Sequence, residues 1–280
     1  MSKRILVTGG SGKAGQYVLA DLQAHGYQVV NGDRRRADKV RNIEVDLCDI
    51  GHVYAAMSGI DAVVHLAAIP APGSHPPEVV MQTNLMSTFN VLQAAAVLGI
   101  KKVVLASSLS ALGLAYAFRP VALDYFPIDE AHPLLAQDEY GLSKIMGENL
   151  AEGFARRDPL LSLTSLRFTW IMSPEEVDTL LPTLQADDAS RASVLWTYID
   201  ARDVATCIRL SLEHDQPGHS AFYINAPTTF TRRPTLDLLQ TYYPDVPRDA
   251  DKLSGTTAPI DCSAARQVLS FDPEFVWKGA

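Results

Sequence analysis

A doubly wound α/β fold, with a parallel sheet between two layers of helix, is the class this sequence predicts. Two patterns predict it. Short continuous Val/Ile/Leu runs alternate with stretches of helical periodicity through the first half of the chain, and a glycine-rich turn, VTGGSGKAG, joins the first apolar run to the first helical one. Unbroken apolar runs suit strands buried on both faces, and a parallel pair needs the helical crossover that fills each gap here.

The elements follow in order. RILVTG (4–9) reads as a buried strand, and 14–26 as a helix with Tyr17, Val18 and Leu22 on one face. Strands are expected at 27–33, 43–47, 61–68 and 101–108, with helices at 52–59 and 78–100, the second stopping near Gly99. Residues 109–139, rich in Pro, Asp and aromatics, read as an irregular insert roofing the site. A helix at 140–156 and a strand at 161–168 come next, then a helix at 203–213 with Asp203 as its N-cap, then a strand at 220–226. Residues 1–168, with 194–226 returning to them, form the expected sheet domain. Residues 169–193 and 227–280 form the expected small C-terminal cap.

Of the 280 residues, 47% are hydrophobic and 20% charged, a profile of soluble globular chains long enough for a large core. The net charge of -8 repels phosphate backbones, so nucleic acid is not an expected partner. Cys48, Cys207 and Cys262 lie far apart and form no CxxC, which fits a reducing cytoplasm and no metal site. The apolar run after Lys3 and Arg4 is too short for a signal-peptide core, and no stretch reaches membrane-span length. Oligomeric state is left open, a homodimer included.

Gly9, Gly12 and Gly15 stand in the spacing TGxxGxxG between a strand and a helix, with Lys13 and Ala14 inside the turn. Glycine lets the backbone turn tightly and approach a pyrophosphate, and the helix N-terminus presents free N–H groups to that charge. Asp33, at the end of the second strand, is placed to accept hydrogen bonds from an adenosine ribose and to repel a 2′-phosphate, which favours NAD over NADP. Arg34, Arg35 and Arg36 keep NADP open, because an arginine there suits a 2′-phosphate; the alternative is a solvated loop. Asp46, beside Leu47, either reaches the adenine edge or, with Asp49, forms the acidic pair that caps the helix after residue 49.

With these motifs in order, residues 3–226 resemble the extended short-chain dehydrogenase/reductase family, the NAD-dependent epimerase/dehydratase group, whose sheet is of the Rossmann type. The resemblance implies that HLAAIP (65–70, with Leu66, Ala67 and Ala68) lines the cofactor, that Asn84 lies near it, and that Ser107 borders it. It assigns the catalytic positions to Ser108, Tyr140 and Lys144, the lysine also holding the nicotinamide ribose. Tyr140 and Lys144 are one helical turn apart, and an ammonium there is expected to lower the phenol's ordinary pKa near 10. Ser110 is a second substrate contact, and Ser107 points the other way along the strand.

Trp170 stands where nucleotide-sugar members carry an Asn, and the cap is short, so the chain looks closer to compact relatives such as uronate dehydrogenases. The expected substrate is a sugar, sugar acid or nucleotide sugar held between Ser108/Tyr140 and a cap wall of Arg167, Trp170, Trp196 and Tyr198. Arg167 has a structural alternative in a buried ion pair, and Trp196 in a core anchor. His132 is read as a loop residue, since no second ligand sits at metal spacing. A reductase of small carbonyl compounds using NADP and a non-catalytic sensor remain competing functions, and the complete Ser108/Tyr140/Lys144 set argues against the sensor.

Overall fold

The computed structural model describes residues 2–184 and 187–277. Positions 185, 186 and 278–280 of the expected cap lie outside the described residues. In chain order the elements are β1 (Arg4–Thr8), α1 (Lys13–Ala24), β2 (Gln28–Asp33), β3 (Arg41–Glu44), α2 (Ile50–Met57), β4 (Ala62–His65), α3 (Pro77–Leu98), β5 (Lys102–Ser108) and α4 (Glu139–Arg157). They continue with β6 (Ser162–Phe168), β7 (Trp170–Met172), α5 (Pro174–Thr179), α6 (Leu181–Leu184), β8 (Tyr198–Asp200), α7 (Ala201–Glu213), β9 (Gly218–Ile224), α8 (Thr235–Tyr242) and α9 (Ser263–Leu269).

Seven strands form one parallel sheet in the order β3-β2-β1-β4-β5-β6-β9, the expected doubly wound class. Alternation along β1 shows why both faces need cover: Ile5 and Val7 enter one core with Val18 and Leu22 of α1 and Val204 and Ile208 of α7. Leu6 enters the opposite core with Met57 of α2, Val91 of α3 and Phe154 of α4. The strand order reverses direction between β1 and β4, and at that switch point the carboxyl ends of the strands open a crevice. No described helix is long and apolar enough to cross a membrane.

A third core builds the cap. Trp196, Tyr198, Phe230, Leu238 and Leu253 are fully buried in it, joined by Phe126 and Ile128 of the 109–139 insert. The insert is therefore stitched into the cap rather than laid over the site. Phe126 N–H donates to Pro247 O at 2.9 Å and Ile128 N–H to Pro259 O at 3.0 Å. Of its described residues only Leu109, Ser110, Ala115 and Tyr116, all near its start, border the cleft.

At two helix starts the structure shows which acid is the cap. Asp200, not Asp203, caps α7, accepting from Arg202 N–H at 2.8 Å, because β8 runs directly into the helix. The Asp203 carboxylate instead accepts the N–H groups of Glu274 and Phe275 at 2.9 and 3.0 Å and ties down the chain's last described segment. Asp49, not Asp46, caps α2, accepting from His52 N–H at 3.0 Å.

Candidate active site

A single cleft of about 980 Å³ runs from the glycine turn, over the ends of β1, β4 and β5, to the edge of the cap. Its floor is set by two contacts that exclude any side chain. A Cβ on Gly9, whose φ is +71°, would lie 2.7 Å from Ala67 N, and one on Gly15 would lie 2.4 Å from Gly9 O. The turn thus sits directly against the 66–68 backbone, leaving a concave strip lined by Gly9, Gly12, Lys13, Ala14, Gly15, Leu66, Ala67 and Ala68 at the N-terminus of α1. Such a cradle of small residues and free N–H groups fits the diphosphate of a dinucleotide.

At the outer end, Asp33 borders the cleft, its carboxylate oriented by Ser11 N–H and Arg35 N–H, both at 3.1 Å. Leu47 lies beside it. Arg34 also borders the cleft but pairs with Asp46 at 3.2 Å, and Asp46 further accepts from Cys48 N–H. Those bonds, the backbone one foremost, hold the Asp46 carboxyl below its ordinary range.

At the inner end, Ser108, Ser110, Tyr140, Lys144 and Trp170 come together. Asp138 caps α4 through Gly141 N–H at 2.8 Å. Gly141 allows the first turn of α4 to press on the residues after β5; a Cβ there would lie 2.7 Å from Ser110 O. That contact sets the buried Tyr140 phenol beside Ser108, whose hydroxyl acts to lower the phenol's pKa. Ser108 Oγ also accepts from Ser110 N–H at 3.1 Å. Lys144 Nζ donates to Ala106 O at 2.8 Å and lies 5.5 Å from the centre of the Tyr140 ring. Burial pushes the Tyr140 phenol up to about 12 and the Lys144 ammonium down to about 8, the latter opposed by Glu148. The phenol is thus raised rather than lowered as expected, because desolvation outweighs the other influences on it.

Several expected contacts are placed elsewhere. Ser107 borders the cleft, but its hydroxyl turns away and donates to Glu148 Oε1 at 2.5 Å. Asn84 does not line the cleft: its amide accepts from Ile69 N–H at 2.8 Å and donates to Ile69 O and Ser143 Oγ, so it positions the 65–70 stretch from behind. Arg167 is likewise absent from the wall, locked in a buried ion pair with Glu148 at 2.8 Å. Trp196 and Tyr198 are fully buried in the cap core, the Trp196 indole donating to Asp188 O and the Tyr198 hydroxyl accepting from Trp277 N–H. Of the expected cap wall only Trp170 faces the cleft. His132 is buried in the insert, accepting from Asp124 N–H, and no cluster suited to a metal exists among the described residues.

Sequence reasoning missed Tyr116, edge-on to Tyr140 at 6.4 Å, and Arg191, whose guanidinium lies 5.0 Å from the Trp170 ring. Both come from irregular segments with no periodicity to point them inward. Glu148 was also missed, although its place four residues after Lys144 was a readable signal.

Sheet order and glycine turn together define a protein of the Rossmann, dinucleotide-binding class. A profile of the NAD dependent epimerase/dehydratase family matches residues 5–224, and the chain belongs to that family. It is similar to L-arabinose 1-dehydrogenase (NAD(P)(+)) of Haloferax volcanii, 32% identical over 179 residues that make up 62% of this chain and 69% of the relative. It is also similar to the UDP-glucose 4-epimerase of Bacillus subtilis, 31% identical over 183 residues, 59% of this chain and 51% of the epimerase, so the match spans about half of that relative. A short-chain dehydrogenase/reductase superfamily protein from Agrobacterium tumefaciens, solved with bound NAD, shares the fold with a TM-score of 0.73 at 22% identity, over 98% of this chain and 93% of that one.

Proposed function

We propose that the protein is an NAD-dependent oxidoreductase acting on a hydroxyl of a small anionic sugar derivative, a free sugar acid in preference to a nucleotide sugar. The reaction type rests on one observation: Ser108, Tyr140 and Lys144 stand together at one end of a cleft whose other end is a cradle suited to a diphosphate. When bound, NAD supplies the hydride acceptor and a positive ring beside the phenol. Ser108 and Tyr140 hold the substrate oxygen between their hydroxyls. Tyr140 takes the proton from that oxygen as the adjacent C–H bond breaks, and Lys144 stabilises the phenolate. In the reverse direction Tyr140, protonated at neutral pH, is the acid.

Two features support the substrate class. No residue beyond Val204 lines the cleft among the described residues, so the C-terminal part of the cap adds no wall for a nucleotide. Arg191 borders the cleft with its guanidinium over the Trp170 ring; it interacts electrostatically with Asp187 but forms no ion pair among the described residues. A substrate carboxylate would pair with that guanidinium from the cleft side. Calorimetry with glucuronate and galacturonate, beside UDP, dTDP and their sugars, tests this. Arg191→Ala is expected to raise KM for the sugar acid about tenfold or more with kcat little changed, the cost of one charge-assisted bond. Micromolar binding of UDP or dTDP alone would overturn the sugar-acid reading.

Asp33 carries the cofactor preference. Asp33→Ala is expected to narrow the NAD preference in fluorescence titrations with both dinucleotides. Tighter wild-type binding of NADP would assign the site to Arg34 and Arg35 instead. The reading includes a homodimer through the outward α3–α4 face, where Val79, Met86, Phe89 and Met146 are exposed; a monomer by sedimentation would remove it.

A further inference from the structure

We propose that the Lys13–Glu176 ion pair is a strap across the mouth of the cleft, which has to open each time a dinucleotide enters or leaves. It rests on NAD as the cofactor and is independent of the choice of substrate.

The two partners stand 163 positions apart in the chain and belong to different walls of the cleft. Lys13 opens α1 and borders the cleft within the glycine turn. Glu176 lies in the first turn of α5, the helix that follows the wall of residues 168–171. The same stretch returns to the cleft at Ser190, Arg191 and Val194, so α5 belongs to the segment that carries the substrate end. Lys13 Nζ donates to Glu176 Oε1 at 2.6 Å and to Oε2 at 2.8 Å. Among the described residues no other hydrogen bond or ion pair joins residues 9–16 to residues 169–180. The two side chains are 46% and 32% exposed, which puts the pair on the solvent side of the cleft and not in the packing behind it.

An ion pair this exposed is ordinarily weak, because two long side chains must be held in one geometry. Here one of them is held already. Ser173 and Glu176 form a reciprocal capping box: Glu176 Oε2 accepts from Ser173 N–H at 2.8 Å, and Ser173 Oγ accepts from Glu176 N–H at 3.2 Å. The carboxylate is therefore fixed in place, and only the lysine has to be ordered. The cradle meets a diphosphate with the free N–H groups of α1, so Lys13 can stay on Glu176 when the dinucleotide is bound.

A strap closed in both the free and the loaded protein raises the barrier to passage and leaves the equilibrium alone. Entry and exit slow by the same factor, and Kd stays where the cradle sets it. An oxidation that ends in NADH has to release it before the next turnover, so the strap acts on kcat wherever release limits the rate.

Glu176→Gln tests the strap, because glutamine keeps the capping box and loses the charge. Stopped-flow fluorescence of NADH is expected to show association and dissociation both about threefold faster, the worth of one partly exposed pair, with Kd unchanged. In a Lys13→Gln background the same substitution is expected to change neither rate. Amide exchange in α5 is expected to match the wild type. Faster dissociation with unchanged association would assign the pair to holding the bound dinucleotide. Tighter binding would mean that Glu176 competes with the diphosphate for Lys13, and faster exchange in α5 would trace the effect to a frayed helix. Each of these overturns the strap, as do wild-type rates. None of the measurements involves a substrate, so failure of the sugar reading is seen separately. A wild-type protein that binds no dinucleotide overturns the cofactor reading and the strap together.

Discussion

Tyr140 and Lys144 carry opposite electrostatic costs in one small volume. Burial keeps the phenol protonated and weakens the ammonium, so the site is set as an acid beside a partly destabilised cation. Tyr140→Phe removes only the hydroxyl, and the ring still packs edge-on to Tyr116. Turnover is expected to fall by about 10²- to 10⁴-fold while NAD titration stays unchanged; near-normal turnover would reject the assignment. A pH dependence follows with a definite sign. Lys144, lowered to about 8, keeps its charge below that pH and loses it above. Oxidation measured as kcat/KM, which needs the Tyr140 phenolate beside the Lys144 ammonium, should therefore rise with pH to about 8 and level off above it. A profile that keeps rising about tenfold per pH unit to about pH 10 would mean that the ammonium plays no part.

At the level of elements, the strand–turn–helix from β1 to α1 does the most with the fewest residues. Gly9 O, Gly10 and Gly15 are packed so closely that a Cβ on Gly15 would lie 2.5 Å from Gly10 Cα. Gly15→Ala must push the turn off the helix, at an overpacking cost of about 1–3 kcal/mol. The expected result is a lower Tm together with loss of NAD binding, both readable in one thermal-shift series with and without NAD. A variant that bound NAD normally would show that the cradle tolerates displacement. α4 is the second decisive element. Its Asp138 cap and Gly141 contact fix where the helix starts, and that start places Tyr140 against Ser108.

Across the whole molecule, three cores divide the labour: two cover the faces of the sheet, and the third fixes the cap beside the cleft. Trp196 is the largest fully buried side chain of the third. Trp196→Ala is expected to cost about 3–5 kcal/mol. Because that core is separate from the sheet, sugar turnover should be lost while the unheated protein still binds NAD. Calorimetric unfolding with an NAD titration would check both, and a single cooperative loss of both functions would show that cap and sheet are one unit.

Local pattern was enough for the doubly wound sheet, the glycine turn, Asp33 and the Tyr140/Lys144 spacing, because each depends on residues adjacent in the chain or one helical turn apart. The outward turn of Ser107 was legible for the same reason: side chains alternate along a strand. What lay beyond the sequence depends on residues far apart in it. Asp203 reads as a helix cap until the chain's end returns to occupy it. Trp196 reads equally as a core anchor or a sugar-facing ring, and Tyr198 as a sugar-facing ring, until the insert and the C-terminal segment close over them. Arg167 reads equally as a substrate contact or as half of a buried ion pair until Glu148, nineteen positions earlier, is found against it. Arg191 has no periodic context, and it takes its place in the cleft from the ring of Trp170, twenty-one residues away, through a contact that only the packed cap creates.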